Sequence, residues 1–177
     1  MVKKIFIIIV SLLVYSSACF AVPLSNHTID ETYNMMDEYL VYFNHFNKEP
    51  ELNITKLKYL RDNHYTFLFF RETSKCEVHL VSDSSNHITD ILIRGSFKTK
   101  NDQVCFMNAF IMGMQGIRLS VDEMKQVNNA MFNNYSLNGN MNKLNTRIWC
   151  QSSKRTIDIT MSADNNGEMI VLFSGII

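Results

Sequence analysis

The stretch TIDITMSADNNGEMIVLF, residues 156–173, has the sequence pattern of a β-hairpin. Apolar residues alternate with polar ones before Asn166-Gly167, and a second apolar run follows it. Strict alternation is typical of a strand with one buried face. Asn-Gly is a strong signal for a two-residue turn, because both central positions of that turn need positive φ. A hairpin is therefore predicted here, with Ile157, Ile159 and Met161 on one face.

A second stretch, EVHLVSDSSNHITDILI at residues 77–93, has nearly the same pattern. Val78 and Leu80 alternate with polar residues, a polar turn follows, and Ile91 and Ile93 return on one face. A further strand is predicted before each hairpin. The first set of three predicted strands comprises residues 65–72, 76–82 and 88–94, and the second set comprises 144–151, 155–162 and 168–174. The strand at 65–72 is apolar on both faces, as a central strand of the sheet would be.

Helices are predicted before each set of strands. Thr28 and Glu31 have the spacing of a capping box, and apolar residues then recur three and four positions apart to about residue 46. Pro50 suits the first position of a second, shorter helix at residues 49–61. Before the second set, residues 102–115 form an apolar helix, and Ser120 and Glu123 cap another.

The repeated order of elements predicts an α+β fold built from two pseudo-duplicated halves. Each half contains two helices and three strands, at residues 28–97 and 101–177. A three-stranded antiparallel sheet with one apolar face covers itself only partly, so two such units complete one core by packing together. We therefore expect residues 22–177 to form a single domain, with antiparallel sheet or sheets packed on helices.

The first 21 residues have the composition of a secretory signal peptide. Lys3 and Lys4 precede an apolar run at residues 5–15, and small residues follow. Cleavage after Ala21 would leave Val22 as the new N-terminus, and the mature protein would be periplasmic or secreted. The alternative is a lipoprotein with a lipid attached to Cys19, which would place the protein at a membrane.

The charge balance disfavours nucleic acid as a partner. The chain has 17 Lys and Arg against 17 Asp and Glu, and no basic stripe. Contact with a membrane is expected only if Cys19 carries a lipid.

Three cysteines follow the predicted cleavage site: Cys76, Cys105 and Cys150. In an oxidising compartment two of them are expected to form a disulfide bond, and the third is left as a thiol. The sequence leaves all three pairings open. Their spacing matches no zinc motif.

The sequence contains no catalytic motif. Cys76 and His79 lie three positions apart on a predicted strand, so their side chains point to opposite faces and cannot act together. A group of four residues near the first hairpin turn has metal-ligating side chains, although a solvated hairpin end explains them better: His79, Asp83, His87 and Asp90. We therefore predict no catalytic residue, no metal and no cofactor.

The run at residues 104–117 is rich in Met and Phe, and such surfaces adapt to varied partners. The candidate ligand or partner surface consists of Phe106, Met107, Phe110, Met112 and Met114. The alternative is that this helix is the central core element of the domain. Gly113 and Gly116 would then allow a neighbouring strand to approach closely.

These observations favour an exported small protein that is not an enzyme and that binds or inhibits another protein in the periplasm or outside the cell. One alternative is a carrier of a lipid or another apolar small ligand, held between the two halves. Another is an enzyme whose site forms only in three dimensions.

Overall fold

The computed structural model describes residues 22–46, 51–138, 143–164 and 166–176. Its helices are α1 (Ile29–Phe46), α2 (Lys100–Gly116) and α3 (Val121–Asn138). Its strands are β1 (Asn53–Ile54), β2 (Lys58–Arg61), β3 (His64–Arg71), β4 (Ser74–Ser82), β5 (Ile88–Ser96), β6 (Leu144–Cys150), β7 (Arg155–Ala163) and β8 (Glu168–Ile176). The predicted α+β class is confirmed.

All eight strands belong to one antiparallel sheet, in the order β1-β3-β4-β5-β8-β7-β6, with β2 paired to β3. Each predicted set of three strands forms a meander in which consecutive strands are neighbours. The two meanders join through their last strands, β5 and β8, where Ile93 lies opposite Val171. The two halves therefore contribute to a single sheet.

Helices pack against one face of this sheet. Buried and more exposed residues alternate along β4, and Val78 and Leu80 are both fully buried. α2 lies against β3, β4 and β5 and also contacts α1. The core cluster contains side chains from both meanders and from α2. The residues that alternate with the buried ones on β3, β4 and β7 are partly or fully exposed, so the opposite face of the sheet is open to solvent. β3 lies inside the sheet, between β4 and the short strands β1 and β2, as predicted for a central strand, but its second face is open, since Leu68 is 38% exposed.

The predicted helix at residues 49–61 is wrong for the described residues 51–61, which contain β1 and β2. Asp62 and Asn63 have φ values of 48° and 59°, and this left-handed pair forms the two-residue turn that folds β2 back onto β3. Pairing with β3 thus overrides the local helix signal of Pro50. The described part of the first half has one helix, whereas the second half has two.

The turn between β7 and β8 also differs from the prediction. The N–H of Asp164 donates to the carbonyl of Glu168 at 2.9 Å, so the turn is longer than a two-residue Asn-Gly turn. The Asp164 carboxylate accepts from the N–H groups of Asn166 and Glu168, each at 2.8 Å. Gly167 has φ +75°. The prediction used only Asn166 and Gly167, but the side chain of Asp164 accepts the hydrogen bonds that hold this turn.

Both predicted capping boxes are present. The N–H of Thr28 donates to Glu31 Oε2 at 2.8 Å, and the N–H of Glu31 donates to Thr28 Oγ1 at 3.3 Å. Ser120 and Glu123 exchange the equivalent bonds at 2.6 and 3.3 Å. Local hydrogen bonding therefore defines where α1 and α3 begin.

Candidate functional site

The Met and Phe residues of α2 lie mainly in the core. Phe106, Phe110, Met112 and Met114 are at most 1% exposed, whereas Met107 is 39% exposed. The ring of Phe110 packs against Phe173 of β8, with centroids 5.7 Å apart. Four of the five residues therefore occupy the position of a central core element, and only Met107 is available to a partner or ligand on the surface.

Both glycines of α2 lie at close contacts, but the predicted neighbouring strand is found only at Gly113. A Cβ at Gly113 would meet Ile93 Cδ1 at 3.0 Å and the ring of Phe173 at 3.1 Å. A Cβ at Gly116 would meet Met36 Cε at 2.5 Å. The neighbour of Gly113 is the sheet, while that of Gly116 is α1.

All three candidate disulfide cysteines are buried, and no disulfide bond joins them in the structure. Cys76 Sγ and Cys105 Sγ are 3.9 Å apart, too far for a covalent bond. Cys150 lies elsewhere, with its Sγ 3.1 Å from Ser152 Oγ. The structure thus brings together one of the three possible pairs.

The four residues with metal-ligating side chains do not gather at one point. Asp83 Oδ2 is 3.6 Å from His87 Nδ1 in the turn after β4. Asp90 instead accepts a hydrogen bond from Ser174 Oγ at 2.6 Å. His79 points to the open face of the sheet, opposite to buried Cys76, as predicted from their spacing. Among the described residues, no group of three or more His, Cys, Asp or Glu is placed to hold a metal ion.

A histidine pair that the sequence did not predict lies on the open face. His64 Nε2 and His79 Nδ1 are 2.9 Å apart, and His79 Nε2 is 3.4 Å from Glu77 Oε1. Burial, followed by the charges of His79 and Arg61, lowers the pKa of His64. The bond between the rings requires one unprotonated nitrogen, so the pair responds to acid.

A concave surface of about 530 Å³ lies on the same face, around the ion pair of Arg94 and Glu168. Arg94 Nε donates to Glu168 Oε2 at 2.8 Å, and this hydrogen bond raises the pKa of Arg94. Lys75 and Glu77 also line the surface. Because this surface carries both positive and negative side chains, its electrostatic potential favours binding of neither anions nor cations.

The outer face of α1 has the most exposed apolar side chains of the described chain. Val41, Tyr42 and Phe46 are 67%, 66% and 65% exposed. The rings of Tyr42 and Phe46 pack with centroids 4.7 Å apart. Together with Asp37, Glu38 and His45 they line a shallow concavity of about 410 Å³. We call these six residues the α1 outer patch.

The charge of α1 is strongly one-sided. Asp30, Glu31, Asp37 and Glu38 are exposed, and the helix contains no Lys or Arg. The opposite face of α1 holds it to the core through buried Ile29, Met36 and Leu40. The helix is therefore apolar on two sides, one packed against the core and the other open beside Asp37 and Glu38.

The sequence contained a signal for the α1 outer patch. A single stripe of apolar residues accounts for the packed face of the helix. Val41, Tyr42 and Phe46 lie outside that stripe, and an amphipathic helix normally has polar residues at such positions. These three residues mark a second apolar face.

Comparison with protein-family models, with curated proteins and with solved structures found no match to this chain. Within the described ranges, none of the helices has both the length and the hydropathy needed to cross a membrane. The geometry of the site is therefore the basis for assigning function.

Proposed function

We propose that this chain is an exported protein that binds another protein through the α1 outer patch. The observation that carries the proposal is the exposure of Val41, Tyr42 and Phe46 on adjacent turns of one helix. Contiguous exposed apolar surface marks interaction sites, and aromatic residues supply much of the binding energy at protein interfaces. A binding protein needs no group of catalytic residues, so this function is compatible with the absence of a catalytic motif in the sequence.

The charge of α1 indicates the chemistry of the partner. The patch contains two exposed carboxylates, Asp37 and Glu38, and α1 contains no Lys or Arg. A partner that presents an apolar segment flanked by Lys or Arg would complement both features. A second copy of the chain fits less well, because a symmetric contact would bring together two acidic helices that each contain no Lys or Arg.

The contacts of residues 22 and 24 are compatible with cleavage after Ala21. Val22 pairs with Gly175 of β8, and the N–H of Leu24 donates to the carbonyl of Ile88 at 2.7 Å. Leu24 is fully buried. Residues 22 and 24, next to the proposed cleavage site, are thus held against the sheet. A lipid at Cys19 would have a tether of only about three residues, roughly 10 Å. We therefore favour release of a periplasmic or secreted protein over a lipoprotein.

We also infer that the two meanders are diverged copies. The turns after β4 and β7 have matching hydrogen bonds. The Asp83 carboxylate accepts from Ser85 and His87 N–H groups, as Asp164 does from Asn166 and Glu168. The fourth residue of each turn, Asn86 or Gly167, has positive φ. β4 and β7 each have nine residues. The inferred duplication covers the three-stranded units, because the helices of the two halves differ.

Site-specific photo-crosslinking in cells that produce the full chain tests the proposed function. A photoreactive residue replaces Tyr42, and a matched control replaces Lys125, which is 67% exposed on α3. We expect an adduct with another protein from position 42 and no such adduct from position 125.

The dependence on charge identifies the docking surface itself. Asp37→Lys combined with Glu38→Lys should remove the adduct, because it reverses the charge beside the apolar side chains. Phe46→Ala should weaken it. An adduct that survives the charge reversal, or that also forms from position 125, would contradict the proposal.

A further inference from the structure

Two of the buried cysteines lie on elements that are clamped together. Cys76 is on β4 and Cys105 is in the second turn of α2. Asp102, one turn before Cys105, accepts a hydrogen bond from Ser74 Oγ at 2.8 Å. Its other carboxylate oxygen accepts from Ser96 Oγ of β5, also at 2.8 Å. These bonds fix the start of α2 against the strand that carries Cys76.

The space beside Cys76 is reserved for its sulfur. Gly95 lies opposite Cys76 in the β4–β5 ladder, and a Cβ at position 95 would be 2.6 Å from Cys76 Sγ. Only glycine leaves that volume open. The sulfur is therefore held between β5 and α2, 3.9 Å from Cys105 Sγ.

We propose that Cys76 and Cys105 are oxidised to a disulfide bond that links β4 to α2, and that Cys150 stays a thiol. The inference rests on the proposed export, which would bring the chain to an oxidising compartment. A covalent bond of about 2.05 Å requires the sulfurs to approach by about 1.9 Å from the 3.9 Å separation of the thiols, a movement within reach of side-chain rotation.

The oxidant is a molecule that contains a disulfide bond, such as oxidised glutathione. One cysteine thiolate attacks the oxidant's disulfide, forms a mixed disulfide and releases one oxidant thiol. The thiolate of the second cysteine then attacks the sulfur of the first and releases the other oxidant thiol. Two S–H bonds of the protein become one S–S bond, and the oxidant gains two thiols.

Burial determines when this reaction takes place. Cys76 and Cys105 are 1% and 0% exposed, so an oxidant cannot reach them in the folded protein. The hydrogen bond with Cys105, together with burial, raises the pKa of Cys76 and further slows attack by the folded thiol. The bond therefore forms while the chain folds, and the core then shields it from reductants.

Peptide mapping of the wild-type chain tests the pairing without any mutation. Purified chain lacking residues 1–21 is unfolded in reductant and refolded with a mixture of reduced and oxidised glutathione. Free thiols are then alkylated and the protein is cut with trypsin. Cleavage after Lys and Arg separates the three cysteines into residues 76–94, 101–118 and 148–154. We expect the first two peptides to be joined and the third to be alkylated.

Stability gives a second measurement. The oxidised protein should unfold at a temperature about 5–10 °C higher than the reduced protein. Cys150→Ser should keep this difference, whereas Cys76→Ala combined with Cys105→Ala should abolish it. Three alkylated cysteines, or a bond that includes Cys150, would overturn the inference. The refolding assay does not depend on where the cell places the protein, so its failure is distinct from failure of export.

Discussion

At the scale of single residues, Gly95 shows how a backbone position sets the space for a functional side chain. A Cβ at this position would lie 2.6 Å from Cys76 Sγ and 3.3 Å from the carbonyl oxygen of Lys75. We predict that Gly95→Ala lowers the free energy of unfolding of the reduced protein by about 1–3 kcal/mol, because the added methyl overpacks the core. Urea unfolding measures the change.

A double-mutant cycle controls for effects unrelated to the sulfur. In a Cys76→Ala background the closest contact is gone, so Gly95→Ala should cost much less. Equal costs in both backgrounds would show that the sulfur does not occupy the space beside Gly95.

The histidine pair on the open face predicts a pH dependence of stability. The pKa of His64 lies below its usual value of 6.5, mainly because of burial. The unfolded chain therefore binds this proton more readily than the folded one. The contribution of His64 to stability is complete above pH 6.5 and is lost as the pH falls through the lowered pKa. We predict that the urea midpoint decreases on acidification below pH 6.5.

Substitutions compare the contribution of His64 to this pH dependence with that of a histidine outside the pair. His64→Gln should flatten the pH dependence of the urea midpoint, and His45→Gln, at an exposed position of α1, should leave it unchanged. If both variants keep the wild-type slope, the histidine pair does not control the response to acid.

At the scale of elements, local chemistry made the larger part of the secondary structure predictable. Alternation and short apolar runs predicted the six long strands, and the Thr28–Glu31 and Ser120–Glu123 boxes predicted the starts of α1 and α3. β1 and β2 were not predicted because they form only by pairing with β3. The turn that allows β2 to pair has positive φ at Asp62 and Asn63. The hydrogen bonds that decide such segments come from another strand, which local propensity does not describe.

Glu123 connects two elements as well as capping one. Its carboxylate accepts from the N–H of Ser120 at 2.6 Å and from the N–H of Gln151, just after β6, at 2.7 Å. Burial alone would raise the pKa of Glu123, but these hydrogen bonds lower it. We predict that Glu123→Ala lowers the free energy of unfolding by about 1–3 kcal/mol, because two backbone N–H groups lose a charged acceptor that is itself buried.

The neighbouring acid provides the control. Asp122 is in the same helical turn, but its side chain is 86% exposed and pairs only with exposed Lys125. Asp122→Ala should cost less than about 0.5 kcal/mol by the same urea assay. A similar loss in both variants would point to the helix dipole rather than to the bonds of Glu123.

The two faces of α1 predict opposite effects of mutation. Met36 is fully buried against Gly116, so Met36→Ala should lower the free energy of unfolding by about 2–4 kcal/mol. Tyr42 is 66% exposed, so Tyr42→Ala should change it by less than about 0.5 kcal/mol. Thermal and urea unfolding of the two variants measure this contrast. A large loss in Tyr42→Ala would mean that the α1 outer patch stabilises the fold itself.

At the scale of the whole molecule, the sequence predicted two similar sets of strands but not how they meet. The joining of β5 to β8 depends on contacts between residues about eighty positions apart, such as Ile93 and Val171. The position of the proposed binding surface also depends on contacts between residues distant in sequence. Phe106 and Phe110 were candidates because they are apolar, but whether an apolar residue is buried depends on which elements cover it. α2 is covered by the sheet and by α1, and so the open apolar surface lies on α1 instead.

The pairing of β5 with β8 is the central claim, because it joins the two meanders into one sheet and brings the side chain of Arg94 to Glu168. Nuclear Overhauser measurements on isotopically labelled protein test it directly. We predict cross-strand backbone contacts between residues 90–96 and 168–174 in antiparallel register, with Leu92 opposite Leu172. Contacts that instead join β3 to β6, or two meanders with no contact between them, would contradict it.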